Sequence, residues 1–360
     1  MDDPRQLKQR NRSAKRLNRS RVTLSVLSEK TGFDKSTISR VLRDDATLSI
    51  RPENLALIKN VASDLGYVPD TAARSLRLAR SYSIGAIVPS LQNPIHAQIV
   101  EAVQSTCQAR GYSLLISYIQ LEESTPTRLQ AFVQKHRVDG LLVHMLRYDA
   151  SFAAEMRRFP VPVMMVNRLA EGVANSITVD DRSGGALATQ HLLDLGHRQI
   201  AHLSVASQRF NAHQRFLGYR DALKAAGVPY DPDLVVEAGY DFADGVAATE
   251  ALLKRRRGGF TAVFGVTLMA AAGSMNVLRR HGIEVPRNVS VMGFHDGLLA
   301  QVLTPALSTI AYPLFELGKA AADGIIDLVE GKRNEVVEVL ATGVVVPRQS
   351  TAPALPRTRT

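Results

Sequence analysis

From Ser83 onward, short apolar runs rich in Val and Ile alternate with stretches whose apolar residues recur at helical spacing. The runs IGAIVP, YSLLISY, GLLVHM, VPVMMVN, QIAHLS, TAVFGV and VSVMGF read as strands buried on both faces. Helical patterns begin near Pro94, Thr125, Ser183, Ala212, Ala243, Thr267 and Leu314. Repetition of this βα unit predicts parallel sheets covered by helices on both faces, with any ligand beyond the carboxyl ends of the strands. The preceding segment carries three helical patterns and no strand. Thr23 is placed to cap a helix that buries Leu24 and Leu27 and ends near Gly32. Phe33 fills the turn, and Asp34 caps a second helix with Ile38, Val41 and Leu42 as its inward stripe. Ser49 and Pro52 open a third, with Leu55, Ile58, Ala62 and Leu65 inward and Gly66 as its stop. Two short helices joined by a glycine turn and braced by a third form a helix-turn-helix unit.

Charge separates this unit from the rest. Residues 1–80 hold 17 Lys or Arg against 9 Asp or Glu, whereas residues 81–360 hold 27 against 25. The N-terminal fifth is therefore the part suited to a polyanion. Lys35, Ser36, Ser39, Arg40 and Arg43 lie on the faces of the second helix that its apolar stripe leaves open, so they are the candidates for reading DNA. The basic run before Val22 serves equally as a solubilising arm or as an auxiliary phosphate contact.

Composition narrows the remaining classes. A chain of 360 residues, 45% apolar, accommodates two or three domains. Its single cysteine, Cys107, forms no internal disulfide, and no secretory signal or apolar stretch of ~20 residues is present, so a cytoplasmic protein is expected. No GxGxxG follows the first strand, no GxxxxGK[ST] loop exists, and the histidines show no HExxH spacing. His191 and His197 are read as polar helix-surface and turn groups, not metal ligands. GGALATQ at Gly184 opens a helix that could receive phosphate but lacks the preceding pattern. No catalysis, metal or cofactor is expected, and a transport protein for sugars would need an export signal.

The segment VTLSVLSEKTGFDKSTISRVLR, with LGYVPDTAARSL after it, resembles the headpiece and hinge of the lactose-repressor (LacI/GalR) family of bacterial transcription regulators. The resemblance continues through NPIHAQIVEAV, RVDGLLV, HLLDLGHRQIAHL, RFLGYRDALKAAG, VPRNVSVMGFHD and LTPALSTI, covering about residues 22–348. It implies a type I periplasmic-binding-protein-like core of two Rossmann-like subdomains with an effector cleft between them. It places Lys35, Ser36 and Arg40 at base-reading positions and Thr23, Thr37 and Ser39 at phosphate positions; capping is the plainer role for Ser36 and Thr37. In the hinge, which includes Ala73, Leu76 either packs on the core or wedges between base pairs from the minor groove, and the resemblance favours the wedge.

In the cleft, the resemblance assigns Ile95, His96, Arg209, Asn211 and Arg215 to effector contact, with Tyr240 or Phe242 as a stacking aromatic. Two departures stand out: Val266 and Thr267 occupy the place of an Asn-Asp pair, and His295 precedes Asp296 where the family often has two acidic residues. A cleft so altered is donor-rich, which points to an anionic effector, a sugar acid or sugar phosphate, and leaves open that none is sensed. The expected layout is a basic tail (1–21), a DNA-binding unit (22–69), a hinge (70–80), a core (81–348) and a disordered tail (349–360). The chain end GVVVPRQSTAPALPRTRT carries no leucine heptads, so a homodimer is expected on a two-fold operator. The function expected is repression, with activation or co-repressor dependence as the alternatives.

Overall fold

The computed structural model describes residues 22–42, 45, 47–67, 80–89, 94–119, 125–144, 154–169, 174–205, 210–255 and 259–355. The chain divides into two compact units, residues 1–79 and 80–360.

The first unit contains three helices: α1 (Leu24–Thr31), α2 (Lys35–Val41) and α3 (Pro52–Asp64). Leu27, Ile38, Val41, Ile58 and Ala62 form its buried centre, with Phe33, Leu55 and Leu65 packed around them. Gly32 and Gly66 end α1 and α3 in the left-handed region at φ 75° and 63°, where a side chain would be strained. Asp34 caps α2 as expected, accepting from the Ser36 N–H at 2.6 Å. Two cap assignments change. Thr23 sits at the α1 N-cap position but its side chain makes no capping bond. The α3 N-cap is Arg51 and not Ser49, because Pro52 at the first helical position already fixes the entry.

The second unit begins at Arg80, whose guanidinium donates to the Val329 carbonyl at 3.1 Å. Its elements are β1 (Ser83–Val88), α4 (Pro94–Ala109), β2 (Ser113–Tyr118), α5 (Pro126–His136), β3 (Gly140–His144), β4 (Val163–Val166), β5 (Asn175–Val179) and α6 (Asp181–Asp194). They continue with β6 (Ile200–Ser204), α7 (Phe210–Ala225), β7 (Val235–Glu237), α8 (Phe242–Arg255), β8 (Ala262–Gly265), α9 (Leu268–Arg280) and β9 (Ser290–Met292). The last are α10 (Leu298–Val302), β10 (Thr309–Ile310), α11 (Leu314–Glu330), β11 (Val336–Leu340) and β12 (Val345–Val346). A six-stranded parallel sheet has the order β11-β5-β4-β3-β1-β2, and a four-stranded parallel sheet the order β7-β6-β8-β9. β10 pairs with β12 antiparallel. The chain leaves the first sheet after β5, returns through α11 to β11, and leaves again for β12, so it passes between the subdomains three times. This is the two-subdomain α/β core expected, with a cleft where strand ends of both sheets meet.

Every strand read from the sequence is present. The pattern missed β5, β7, β11 and the β10–β12 pair, which are short or carry polar residues. α6 starts at Asp181, two residues before the expected Ser183, because Asp180 caps it by accepting from the Ser183 N–H at 2.9 Å. The glycines there serve packing and not phosphate. A Cβ on Gly185 would overlap the Arg215 carbonyl and one on Gly218 the Arg182 carbonyl, so these two glycines let α6 and α7 cross in backbone contact. The C-terminal segment also departs from expectation. Residues 349–355 are packed, not disordered: Ser350 is fully buried, and its hydroxyl donates to the Val291 carbonyl at 2.6 Å. The Ala354 N–H donates to the Leu195 carbonyl at 2.8 Å. His197, expected on a turn surface, is buried in the same seam, its ring nitrogens 2.9 Å from Thr261 Oγ1 and 3.0 Å from the Ala352 carbonyl. His191 meets Thr351 Oγ1 at 3.0 Å. Both histidines therefore latch the chain end.

Candidate functional site

The exposed face of α2 presents Lys35 and Ser36. Thr37 is drawn into the cap, its hydroxyl donating to Asp34 at 2.6 Å, and these donors hold the Asp34 carboxyl well below the ordinary carboxylate range. Ser39 and Arg40 are half-buried. Arg40 has a structural partner that its helical position did not disclose: Nε donates to Asp45 at 2.8 Å and Nη2 to Thr47 Oγ1 at 3.0 Å. Asp45 also accepts from the Thr47 N–H at 2.9 Å, so it braces both ends of the arrangement. A half-exposed pair of this kind contributes only about 0–1 kcal/mol to stability. Its larger effect is to aim the guanidinium fork. Arg43, and Ala73 and Leu76 of the hinge, lie outside the described residues.

In the core, Arg215 is the hub. It lies on α7 and is 1% exposed. Nε donates to Asp181 at 2.7 Å, Nη1 to the Val266 carbonyl at 2.8 Å, and Nη2 reaches His295 Nε2 at 3.0 Å. The Phe294 ring lies beneath the guanidinium, 3.9 Å from ring centroid to Cζ. Asp181, the first residue of α6, is 2% exposed and also accepts from Asn211 and from the Tyr312 hydroxyl at 3.2 Å. Asn167, after β4, accepts from Asn211 at 3.1 Å and from Tyr312 at 2.9 Å. Burial pushes the Asp181 carboxyl upward, against the pull of Arg215, Asn211 and Tyr312. These hydrogen bonds cross from the strand ends of one subdomain to those of the other.

Two backbone outliers flank the network. Asn167 and His295 are non-glycine residues at φ 59° and 73°. Such conformations cost about 1–3 kcal/mol each and persist where the surroundings enforce them. At His295, the left-handed backbone turns the imidazole inward, to 2% exposure, against Arg215 and the Tyr312 ring. Burial first, and Arg215 second, hold this imidazole well below its ordinary range. It is therefore a neutral acceptor toward Arg215.

Of the other sequence-assigned residues, Ile95 and His96 are buried in the first turn of α4, and the His96 ring meets the His144 ring edge-on at 4.7 Å. Val266 is fully buried in a small cluster with Val205, Ala212 and Tyr240, which favours Tyr240 over the exposed Phe242 as the aromatic at this end. Thr267 caps α9 and donates to the Tyr240 carbonyl at 2.9 Å. Asp296 is held by Thr309 at 2.8 Å and Arg348 at 2.9 Å, so it is structural. Arg209 lies outside the described residues. The sequence reading missed Asp181, Asn167, His144, Phe294 and Tyr312. Most important, Asp181 balances Arg215, so the arginine is not an unpaired cation. Among the described residues no three His, Cys, Asp or Glu side chains are grouped to hold a metal ion, and no helix is long and apolar enough to cross a membrane.

This architecture recurs in known proteins. A family model described as a periplasmic binding protein-like domain matches residues 189–351. The ribose operon repressor of Escherichia coli (strain K12) is 32% identical over 308 residues, which covers 85% of this chain and 92% of that protein. The HTH-type transcriptional regulator GalR of the same strain is 31% identical over 337 residues, covering 93% and 97%. A solved lac repressor dimer bound to operator and an anti-inducer superposes with a TM-score of 0.80 at 25% identity, covering 92% of this chain and all of that one. A solved complex of the regulator CelR with cellobiose gives 0.70 at 29% identity over 92% of this chain and all of that one. Similarity that runs from the helix-turn-helix unit through both subdomains assigns the chain to the LacI/GalR family of transcriptional regulators.

Proposed function

We propose that this protein is a cytoplasmic repressor that binds a pseudo-palindromic operator as a homodimer and is governed by a small anionic effector in the core cleft. The DNA-binding part of this reading rests on the outward Lys35, Ser36 and aimed Arg40 of α2, set on an apolar three-helix frame. Two exposed apolar pairs support a subunit interface: Leu298 and Val302, one turn apart on α10, and Ile116 and Tyr118 on the edge strand β2.

The observation that carries the cleft reading is the hydrogen-bonded set of Asn167, Asp181, Asn211, Arg215, His295 and Tyr312, contributed by both subdomains. A ligand seated there would favour whichever subdomain arrangement completes its contacts, and would shift that equilibrium by no more than its difference in affinity for the two states. The anionic class is supported by His295. An imidazole there presents an N–H where a carboxylate would present only acceptors, and leaves the site one negative charge poorer. Asp181 offsets Arg215, so the attraction comes from the histidines and not from the arginine. The competing reading is a neutral sugar, the class of the cellobiose held by the solved CelR complex. Calorimetric titration of the full chain with glucose, gluconate and glucose 6-phosphate separates the two. The anionic reading expects at least one acid to bind about tenfold more tightly than glucose, the ratio expected when one neutral hydrogen bond becomes a charged one. Tighter binding of glucose overturns it.

A further inference from the structure

We propose that His144 and His295, with His96 packed against His144, form a proton-coupled anion subsite, in which the acidic group of an effector is received together with protons taken up by His144 and His295. The inference rests on the anionic-effector reading and adds the residues and the thermodynamic signature.

Three observations converge. His144, at the end of β3, is 4% exposed, and its Nε2 has no hydrogen-bond partner. His295 accepts from Arg215 through Nε2, which leaves Nδ1 as its N–H, and that nitrogen has only the neighbouring Phe294 carbonyl beside it, without a well-formed hydrogen bond. His96, 6% exposed, packs edge-on against His144. A buried polar group without a partner is destabilising, and a bound acceptor would remove that cost.

The surrounding charges decide what the acceptor is. His144 is faced by His96. His295 is faced by Arg215, His96 and His144, with the Tyr312 ring at 5.0 Å. Among the described residues the nearby carboxylates are engaged elsewhere: Asp181 by Arg215, Asn211 and Tyr312, and Asp296 by Arg348 and Thr309. Burial and mutual repulsion therefore keep both imidazoles neutral without ligand. A carboxylate, sulfate or phosphate seated among them adds a negative charge beside the imidazoles and raises their proton affinity. A neutral hydroxyl satisfies the same donors without drawing protons. The bound state then holds more protons than the free state, so affinity strengthens as pH falls, by about tenfold per pH unit for each proton taken up.

Isothermal calorimetry of the full chain tests this with gluconate and with sulfate, whose own charges are constant between about pH 5.5 and 7.5. Two buffers of different ionisation heat give the number of protons bound. The inference expects affinity for both anions to rise at least fivefold from the upper to the lower pH, with net proton uptake, while glucose shows neither effect. His144→Gln and His295→Gln, which keep a hydrogen-bonding side chain but cannot titrate, should each reduce the pH slope, and the wild-type profile stands if either fails to fold. Anion binding that is flat with pH overturns the proton coupling and leaves the anionic reading intact, as does a slope unchanged in both variants. Glucose binding with no binding of either anion at any pH overturns both.

Discussion

Replacement of Asp181 by Leu leaves the Arg215 guanidinium buried beside the Val266 carbonyl, His295 Nε2 and the Phe294 and Tyr312 rings, with no carboxylate among the described residues bonded to it. The Asp181 and Arg215 side chains are 0% and 2% exposed, so water cannot take the place of the lost carboxylate. Breaking one side of a buried pair costs about 3–5 kcal/mol, mostly through the uncompensated charge that remains. Asn211 and Tyr312 lose their shared acceptor as well, although each keeps Asn167 at 3.1 and 2.9 Å. Removing both charges in Asp181→Leu/Arg215→Met should restore most of the loss, because the desolvation of two ions is removed together with their attraction. Urea unfolding followed by far-UV circular dichroism, at fixed protomer concentration, measures all four members of the cycle. The expected coupling is about 2–3 kcal/mol, within the range for residues in direct contact. A cost below ~1 kcal/mol for Asp181→Leu, or additive single effects, would show that the pair is not the structural hub.

Two further outcomes follow from the fold. His202 is fully buried between the rings of Tyr219 and Phe264, and burial pushes its imidazole down to about 3. The unfolded chain binds a proton there near pH 6.5 and the folded chain does not, so the stability due to His202 is present above that pH and declines below it. The loss is about 2 kcal/mol at pH 5, and a His202→Leu variant should show a shallower decline in urea unfolding between pH 7.5 and 5; an unchanged slope would contradict the assignment. Deleting residues 349–360 removes the buried Ser350 and the bond from Ala354 to Leu195, and should lower the unfolding midpoint while sedimentation still reports a dimer. A truncated chain of unchanged stability, or a stable tetramer of the full chain, would count against the packed terminus and the dimer respectively.

What the sequence disclosed follows the range of the physics involved. Strands such as β1 and β8 are continuous apolar runs, because both faces are covered, and that pattern is local. β11 was missed because Val337 and Val339 are exposed on an edge strand, so its composition carries no sign of burial. The α2 cap at Asp34 was legible because its donors are two and three residues away. The brace on Arg40 was not, because Asp45 and Thr47 reach back from the following loop. In the cleft, motif positions identified Asn211, Arg215 and His295. Asp181 and Tyr312, which complete the network across 34 and 131 residues of chain, carry no local signal. The helix opening at Gly184 and Gly185 could receive phosphate on its sequence alone, although it lacks the preceding pattern, and its packing role shows only once α7 is known to cross Gly185. The proline-bearing terminus reads as disordered until its backbone bonds to Leu195 and Ala306 are seen.

The central claim is that this chain recognises DNA sequence through α2 as a two-fold dimer. Selection of bound sequences from a random duplex pool by the full-length protein tests it most directly, with Arg40→Ala in parallel. The account predicts one enriched pseudo-palindrome of two half-sites, and relaxed preference at one base pair of each half-site in the variant, with a loss of about 1–3 kcal/mol on the operator and less on random duplex. Enrichment of no symmetric sequence by the wild-type protein, or equal loss on operator and random DNA in the variant, would contradict it.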